Sequence, residues 1–355
     1  MIYRLEIENF FSIRDRQVLD LTIAPNVSDP ENRFAPIFPG SLLRAPKIVA
    51  LYGANASGKT TILKAIDCIR SFITTNGSNG PSAFTKMVYF NDLASLDRPI
   101  SFAIELGGVM NWYSSPEDYA YGTIRYEFEI EVKRGQATRV LREVLKQKPE
   151  GKGRWHRVFE RVAGESLKGS DYFKLTGYQH LENTLRQDVS VLASFAFFGH
   201  PIAKVYLHAA EAFSSNLEII KNAPADSSVI NFLASAPDVL KSLNYDLSRI
   251  DVGIEEMTFD RSGSLPIAAF THKHLHQAMP WHLQSQGTQA FIKIFPLLNY
   301  ALEHGGVALI DEFDALIHPT ILPEVLGWFY EIDGRNPNNA QVWLSCHSQS
   351  LMEHL

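Results

Sequence analysis

The sequence predicts an α/β protein with a mostly parallel core sheet, an antiparallel β subdomain and an inserted helical subdomain. Three patterns support this prediction. A short apolar run at 47–52 leads into a glycine-rich turn and then into a helical stretch. Period-2 alternation, which is typical of strands, dominates from about 87 to 162. The last quarter returns to strands separated by helices, an order that favours parallel strands covered on both faces.

Residues 1–72 are predicted to form the N-terminal part of the core. Two alternating runs, Ile2–Glu8 and Arg16–Ile23, are typical of strands, and a loop rich in Pro and Asn follows them. The apolar run Lys47–Tyr52 indicates a buried strand. The stretch from Thr60 to about Phe72 indicates a helix.

The rest of the chain divides into a β-rich lobe at 73–180, a helical insertion at 181–279 and a C-terminal part of the core at 280–355. Alternation in the lobe predicts an antiparallel meander, and helical periodicity extends from about 181 to 247. The expected elements are strands at Ile100–Leu106, Tyr126–Val132, Arg139–Lys148, Arg154–Val162, Val307–Ile310 and Ala340–Ser345, and helices near Thr288–Leu302 and Ile321–Glu331.

Composition excludes several classes of protein. The chain has 355 residues, of which 45% are hydrophobic and 20% charged, which excludes a mainly disordered chain. The net charge of −6 excludes a uniformly basic coat for nucleic acid. No run approaches the roughly 18 apolar residues that a membrane helix needs, and the N-terminus lacks the features of a signal peptide. Cys68 and Cys346 do not suggest a disulfide framework, so we expect a cytoplasmic location without membrane contact.

A phosphate-binding loop (P-loop) is predicted at Gly53-Ala54-Asn55-Ala56-Ser57-Gly58-Lys59-Thr60, which matches G-x-x-x-x-G-K-[ST]. The match lies between a predicted strand and a predicted helix, a context that disfavours a chance glycine-rich turn. Glycines let backbone amides wrap an anion, and the helix adds its positive end. We expect Lys59 to reach the β- and γ-phosphates of a nucleotide and the Thr60 hydroxyl to bind Mg²⁺.

Two carboxylates, Asp311 and Glu312, follow the predicted strand Val307–Ile310. The carboxyl ends of strands in open α/β sheets border the crevice where ligands bind. We expect Asp311 to hold the Mg²⁺ shell, largely through water, and Glu312 to orient and polarise an attacking water. Adjacent acids after a strand are weak evidence alone, because turns often contain them, but they gain weight downstream of an intact P-loop.

Ser285 and His347 each have a structural and a functional interpretation. Ser285, near Gly287 at a predicted helix start, offers a hydroxyl and free amides to a phosphate, but it is also typical of an ordinary N-cap. His347 ends an apolar strand, where a lone histidine is often structural; at a phosphate crevice it would donate a hydrogen bond to the γ-phosphate. Four further histidines lack partners at metal-ligand spacing and are expected to have structural or solvent roles: His272, His274, His276 and His282.

These motifs, in this order, resemble the ABC-type ATPases of the RecF/SMC/OLD group. The chain is most similar to the bacterial AAA family ATPases of phage-defence and toxin-like operons. The resemblance covers roughly 1–72 and 280–355 and the general layout between them. At the N-terminus, Ile7-Glu8-Asn9-Phe10-Phe11-Ser12 is similar to the family's "ENFRS" stretch. Ser285-Gln286-Gly287-Thr288 lies where the family has its signature motif, and Asp311-Glu312-Phe313-Asp314 with His318-Pro319 matches the run from Walker B to the D-loop. His347 lies at the position of the switch histidine.

The resemblance implies an α/β head of the ABC type that binds ATP and Mg²⁺. It implies a homodimer in which Ser285 of one protomer closes over the γ-phosphate bound by its partner, so that hydrolysis releases the dimer. The nucleotide-binding residues expected from the motifs and the resemblance are Gly53, Asn55, Ala56, Ser57, Gly58, Lys59, Thr60, Thr61, Ser285, Gly287 and Asp314. The expected metal-binding residues are Thr60 and Asp311, and the expected catalytic residues are Glu312, His347 and Lys59.

The chain departs from the family pattern at three places. The family's Arg after Asn-Phe is Phe11 here, and Arg14 is a candidate replacement. No glutamine lies between positions 17 and 136, where ABC ATPases carry their Q-loop glutamine, and Asn91 is a weak candidate for its role. The sequence stops at Leu355, soon after the switch histidine, so we expect a truncated form or one completed by a partner.

The stretch 131–175 contains twelve Lys/Arg and six Asp/Glu, a local net charge of +6. One interpretation is a contact surface for DNA or an acidic partner. The other is the solvated face of an antiparallel meander, whose edges Lys and Arg protect. Eight basic residues carry much of the charge, with Trp155 and His156 among them: Arg134, Arg139, Arg142, Lys146, Lys148, Lys152, Arg154 and Arg157.

Three functions remain open from the sequence. The first is an ATP-hydrolysing defence sensor that controls a separate effector, such as a nuclease or toxin. The second is a RecF-like repair factor that clamps duplex DNA, and the third is an assembly scaffold with slow or no turnover. The insertion is too short and irregular for an SMC-like coiled coil, and it has no acidic cluster similar to a TOPRIM nuclease. Phe10, Phe11 and Tyr52 are the candidates for stacking on the base.

Overall fold

The computed structural model describes residues 1–76, 82–111, 118–217, 226–250, 253–317, 321–331 and 334–347. The strands are, in chain order, β1 (Ile2–Glu8), β2 (Gln17–Asp20), β3 (Phe34–Pro36), β4 (Arg44–Pro46), β5 (Ile48–Tyr52), β6 (Ile100–Val109), β7 (Tyr121–Lys133), β8 (Gln136–Pro149), β9 (His156–Val162), β10 (Lys168–Gly169), β11 (Phe213–Ser215), β12 (Ile254–Asp260), β13 (Ile267–His272), β14 (Met279–Pro280), β15 (Val307–Ile310) and β16 (Gln341–Cys346). The α-helices are α1 (Lys59–Thr74), α2 (Gln179–Thr184), α3 (Val191–Phe197), α4 (Pro201–Glu211), α5 (Asp226–Ser235), α6 (Pro237–Ile250), α7 (Gln286–His304), α8 (Phe313–Leu316) and α9 (Leu322–Tyr330). Short 3₁₀ turns occur at Ala83–Lys86 and Trp281–Leu283.

The core sheet is four-stranded and parallel, with the spatial order β11-β15-β16-β5. Its strands are short and mostly buried, as expected for a sheet covered on both faces. Because all four strands run in the same direction, the residues that follow them share one edge. In spatial order these residues are Asn216, Asp311, His347 and Gly53.

The antiparallel lobe is a seven-stranded sheet with the order β10-β9-β8-β7-β6-β1-β2. Its longest pair, β7 and β8, is joined by Arg134-Gly135, both with positive φ, which is the backbone that a tight two-residue hairpin requires. The predicted meander is confirmed. However, β1 and β2 pair with this sheet and not with the parallel one, because β1 hydrogen-bonds to β6 along its whole length.

Two hydrophobic clusters cover the two faces of the core sheet. On one face, Leu309 and Trp343 pack with α1, which also contacts the apolar face of the antiparallel sheet through residues such as Phe72 and Phe128. On the other face, Ile310 belongs to the cluster formed by α7, α9 and neighbouring elements. The helix α1 therefore lies between the two large sheets, and α7 lies on the opposite side of the core.

The range 181–279, expected to be helical, also contains strands. β11 joins the core sheet, and β12, β13 and β14 form a three-stranded antiparallel sheet. The run Phe213-Ser214-Ser215 is too short and too polar for a strand to be predicted from it. In β12 a register shift between Ile254 and Glu256 interrupts the alternation. The class is nevertheless the predicted one: an α/β fold with a parallel core and an antiparallel lobe, while the four-part division stays a prediction.

Candidate active site

The P-loop connects β5 to α1 and has the backbone that its glycines predict. Gly53, Ala56 and Gly58 all have positive φ, and Gly58 is the residue before the first turn of α1. A Cβ at position 53 would lie 2.6 Å from the Ser57 hydroxyl oxygen, so the loop closes tightly at its first glycine. A glycine-rich turn with positive φ before a helix N-terminus is the backbone that suits an anion-binding loop.

Lys59 is nearly buried, and its ammonium lies inside the loop. Its Nζ donates to the carbonyl oxygens of Gly53 at 2.7 Å and Ala54 at 2.9 Å. The same Nζ lies 3.5 Å from Nδ1 of His347. The structure therefore brings the predicted lysine and the predicted switch histidine together, although 288 positions separate them in sequence.

Thr60 and Asp311 meet at the sheet edge. The Thr60 hydroxyl donates to Oδ1 of Asp311 at 3.0 Å, and Asp311 is 8% exposed. The Ser345 hydroxyl donates to the same carboxylate oxygen. A hydroxyl oxygen beside a carboxylate oxygen suits a hard cation such as Mg²⁺, so these residues fit the metal that the sequence predicts.

Glu312 has left-handed backbone angles, φ 53° and ψ 43°, immediately before α8. Such a conformation costs a non-glycine residue about 1–3 kcal/mol and is common at functional sites. Its backbone N–H donates to the Ser345 hydroxyl at 2.8 Å, which holds the turn. The Glu312 side chain is exposed at the strand edge, where a carboxylate can contact water.

Asp314 and His347 are linked directly. The backbone N–H of His347 donates to Oδ2 of Asp314 at 2.7 Å. Asp314, predicted to bind nucleotide, is thus placed to position the residue after β16. His318 and Pro319, which also belong to the motif here, lie outside the described residues.

Asn216 and Ser345 are site residues that sequence reasoning missed. Asn216 is fully buried after β11, and its side chain binds both backbone groups of Asp311: Oδ1 accepts from the N–H at 2.8 Å, and Nδ2 donates to the carbonyl at 3.1 Å. No sequence signal marked Asn216, since β11 itself was not predicted. Ser345 was visible only as the last residue of a predicted strand.

The structure does not bring Ser285 and Gly287 to the P-loop of the same chain. Ser285 is the N-cap of α7, and its hydroxyl accepts the backbone N–H of Thr288 at 3.1 Å. Ser285 is therefore an N-cap in this chain, and its role toward a phosphate stays a prediction. The two helices α7 and α1 pack on opposite faces of the core sheet, so Ser285 and the P-loop begin helices on different faces.

The loop at 9–14 lies against the start of α1. The Ser12 hydroxyl is 2.8 Å from that of Thr61. Phe10 is fully buried against Phe102, which removes it as a base-stacking residue. Arg14 pairs with Asp92 at 3.2 Å, in the segment that also contains the exposed Asn91.

Most basic side chains of the stretch 131–175 lie in ion pairs. Their partners include Glu127, on the neighbouring strand and outside the stretch, and two of the carboxylates, Glu131 and Glu160, are each shared by two basic residues. The pairing favours the solvated sheet face over a DNA contact. The pairs are Lys133 and Arg139 with Glu131, Arg142 with Glu127 and Glu160, Lys146 with Glu127, Lys152 with Glu150, Arg157 with Glu160, Arg161 with Glu143 and Lys168 with Glu165.

The predicted histidine group stays at the surface. His274, His276 and His282 are exposed, and Nδ1 of the partly buried His272 lies 3.3 Å from the carbonyl oxygen of Phe270. Within the described residues, no helix is long and apolar enough to cross a membrane.

The sequence matches the model of one protein family. A family model described as "AAA domain, putative AbiEii toxin, Type IV TA system" matches residues 48–353. Among curated proteins, none matches the sequence.

Similar solved structures include three SMC heads. The "SMC head domain from Thermotoga maritima" is 12% identical, with a TM-score of 0.43, over 99% of this chain and 91% of that one. An SmcHead "bound to the C-winged helix domain of ScpA" is 12% identical, with a TM-score of 0.47, over 99% and 92%. An Smc head "with an extended coiled coil bound to the C-terminal domain of ScpA derived from Pyrococcus furiosus" is 11% identical, with a TM-score of 0.41, over 99% and 91%.

Proposed function

The chain belongs to the family of AAA domains described as putative AbiEii toxins of type IV toxin–antitoxin systems, and from this membership we propose that it is an ATP-binding and ATP-hydrolysing dimeric switch. One observation carries the proposal: Lys59, Thr60, Asp311, Glu312 and His347 meet at one edge of the core sheet. These are the residue types that phosphoryl transfer to water needs, and catalysis of that reaction depends mainly on positioning and electrostatics.

The P-loop would bind the triphosphate. Lys59, which now donates to two loop carbonyls, would turn to the β- and γ-phosphate oxygens, because they carry more negative charge. Thr60 and Asp311 would hold Mg²⁺, which neutralises phosphate charge when bound. The exposed carboxylate of Glu312 would accept a hydrogen bond from the attacking water, and His347 would donate to the γ-phosphate.

A homodimer would complete the site. Ser285 is exposed and begins a helix on the face of the core sheet that α1 does not occupy, so another chain could approach it. Each protomer would then supply one P-loop and one Ser285. Binding of ATP would favour the closed dimer, and hydrolysis would release it.

We further propose a role in phage defence in the cytoplasm, with a separate effector protein such as a nuclease or toxin. The family description, a putative toxin of a type IV toxin–antitoxin system, supports the defence part of this proposal. In a host that carries the chain with its genomic neighbours, Lys59→Ala should restore phage plating to the level without the system. Unchanged protection by that variant would contradict this role.

The catalytic proposal is tested by steady-state ATP hydrolysis and light scattering on the wild type and Glu312→Gln. Loss of the general base should lower turnover on the order of 10²–10⁴-fold. The variant should also accumulate as an ATP-bound dimer. Glu256→Gln removes the same charge from an exposed position on β12 and should change neither quantity. A wild type that neither hydrolyses ATP nor gains mass with it would refute the proposal.

The shared site has its own test. Lys59→Ala and Ser285→Arg should each be inactive alone. When mixed, they form a heterodimer in which one site combines Lys59 of one chain with Ser285 of the other, so part of the activity should return. No recovery on mixing, with both variants folded, would argue against a site built from two chains.

A further inference from the structure

Ser345 lies beside Asp311 at the carboxyl ends of the two central strands of the core sheet. Ile310 of β15 and Leu344 of β16 are paired in parallel. Asp311 and Ser345 are the next residues on these strands, and neighbouring residues of paired strands direct their side chains to the same face of a sheet. The two side chains therefore meet, and the Ser345 hydroxyl donates to Oδ1 of Asp311.

The same hydroxyl replaces a backbone partner of Glu312. In a parallel sheet, each strand bonds through its N–H groups to carbonyl oxygens of its neighbours. Glu312 leaves this ladder, because its backbone is left-handed at φ 53° and the chain turns into α8. Its N–H donates instead to the Ser345 hydroxyl at 2.8 Å. A side chain of β16 thus supplies the acceptor that the backbone supplies within the sheet.

Both bonds of Ser345 are shielded from water, since the residue is only 1% exposed. A serine hydroxyl has one donor and two acceptor positions. Here the donor is used by Asp311 and an acceptor position by the Glu312 N–H. A hydroxyl that donates to a carboxylate becomes a better acceptor, so the two bonds strengthen each other. Ser345 therefore connects the proposed metal ligand to the turn that carries the proposed catalytic carboxylate.

The turn is also fixed to β16 at a second point. The backbone N–H of His347 donates to Oδ2 of Asp314 at 2.7 Å. Asp314 follows Glu312 by two residues, and His347 follows Ser345 by two. The segment from Glu312 to Asp314 is thus bonded to β16 at both of its ends, and Ser345 forms the bond to Glu312 itself.

We propose that Ser345 is a positioning residue for ATP hydrolysis, whose hydroxyl keeps the Glu312 turn in place relative to Asp311 and so keeps the Glu312 carboxylate directed at the attacking water. A left-handed backbone persists in a non-glycine residue only where its surroundings hold it, so loss of the hydroxyl should release the turn. A small displacement of a reacting group is enough to slow a reaction strongly. The inference rests on the proposed function, since Glu312 has this role only there.

The test compares steady-state ATP hydrolysis by the wild type, Ser345→Ala, Glu312→Gln and the double variant. Ser345→Ala should lower kcat on the order of 10–100-fold, as for other residues that orient a functional group. The KM for Mg²⁺-ATP should stay within about 3-fold of the wild type, because the P-loop is unchanged. In the Glu312→Gln background, Ser345→Ala should change kcat by less than about 2-fold, because no general base is left to position.

Ser214→Ala is the matched control. Ser214 is a buried serine of the core strand β11, 8% exposed, and its hydroxyl donates to the carbonyl oxygen of Leu297 at 2.9 Å. Its removal also costs a buried hydrogen bond, but the bond leads to α7 and not to Glu312. Ser214→Ala should therefore lower the thermal midpoint and leave both kcat and KM as in the wild type.

Four outcomes would contradict the inference. If Ser345→Ala hydrolyses ATP like the wild type, the inference is wrong while the proposed function stands. A loss of ATP affinity as large as the loss of kcat, or the same loss of kcat in Ser214→Ala, would show a general structural effect. A further 10-fold loss in the Glu312→Gln background would show that Ser345 does not act through Glu312. If the wild type does not hydrolyse ATP, the proposed function itself fails and this inference with it.

Discussion

Replacement of Asn216 by Ala tests whether the strand next to Asp311 positions the proposed metal site. The Asn216 amide supplies one hydrogen bond to the Asp311 N–H and one to its carbonyl. Removing the amide leaves both backbone groups without these partners in a buried place. Each such group costs about 1–3 kcal/mol, so the sum is about 2–6 kcal/mol before the chain relaxes. We expect the free energy of unfolding to fall by about 2–4 kcal/mol.

The functional consequence is separate from this loss of stability. Asp311 would no longer be fixed relative to Thr60, and Mg²⁺ affinity should fall by about 10–100-fold, as for other residues that orient a metal ligand. Titration of Mg²⁺ at saturating ATP, with urea denaturation of the same samples, measures both quantities. Asn216→Asp keeps an acceptor for the Asp311 N–H but turns a buried carboxylate oxygen toward the Asp311 carbonyl, so at neutral pH it should be at least as destabilising as Asn216→Ala.

Asn244 provides a matched control. Its side chain binds both backbone groups of Met257, at 2.8 and 3.0 Å, in the same manner but away from the nucleotide site. Asn244→Ala should lower stability and leave the Mg²⁺ dependence unchanged. If Asn216→Ala shows the wild-type Mg²⁺ dependence, or the same change as Asn244→Ala, the positioning role of Asn216 is refuted.

Two further predictions concern charge and pH. Lys47 is fully buried, and burial lowers the pKa of its ammonium to about 8. Between about pH 8 and 10.5 the unfolded chain therefore binds more protons than the folded one, so the free energy of unfolding should rise with pH across that window. Lys47→Met should remove this rise and add about 1–3 kcal/mol to the free energy of unfolding at pH 7, as measured by urea denaturation. Burial raises the pKa of Glu6, but hydrogen bonds from Arg125, Arg16 and Arg4 outweigh it and lower the pKa to about 2. Glu6 therefore adds stability above about pH 4.5 that is lost as the pH falls toward 2. Glu6→Gln should be less stable at pH 7, and its thermal midpoint should change less between pH 4.5 and pH 2 than that of the wild type. If the stability of either variant, Lys47→Met or Glu6→Gln, changes with pH as the wild type does, the role assigned to that residue is refuted.

The sequence predicted the core sheet well because its strands are buried and apolar. The bounds Val307–Ile310 agree with the structure, and the P-loop helix begins one residue earlier than expected. The family match confirms the predicted relationship to the bacterial AAA family ATPases. Glycines, a lysine and paired acids mark these positions because phosphate chemistry restricts the residue types that can serve there.

The remaining features depend on contacts that are distant in sequence. β11 forms because Phe213–Ser215 pairs in parallel with β15, and nothing within its three residues encodes that pairing. Asn216 acquires its role only through that pairing. The ion pairs of 131–175 depend on such contacts too, since Arg142 and Lys146 on β8 reach Glu127 on the neighbouring strand β7.

The direction of α7 explains how one fold can separate two halves of a site. The helix ends at His304, and Val307 begins β15 almost at once, so α7 runs antiparallel to the strand on which it packs. Its N-terminus, with Ser285, is therefore directed toward the edge where Asp311 follows β15. The P-loop opens toward the same edge from α1, on the other face of the sheet. Within one chain the sheet keeps the two helix N-termini apart.

A two-fold axis near this edge would turn the Ser285 face of each protomer toward its partner's P-loop. The same surface would then form the contact on both subunits, as closed symmetric dimers require. The strand order and helix direction are thus compatible with the composite site proposed above.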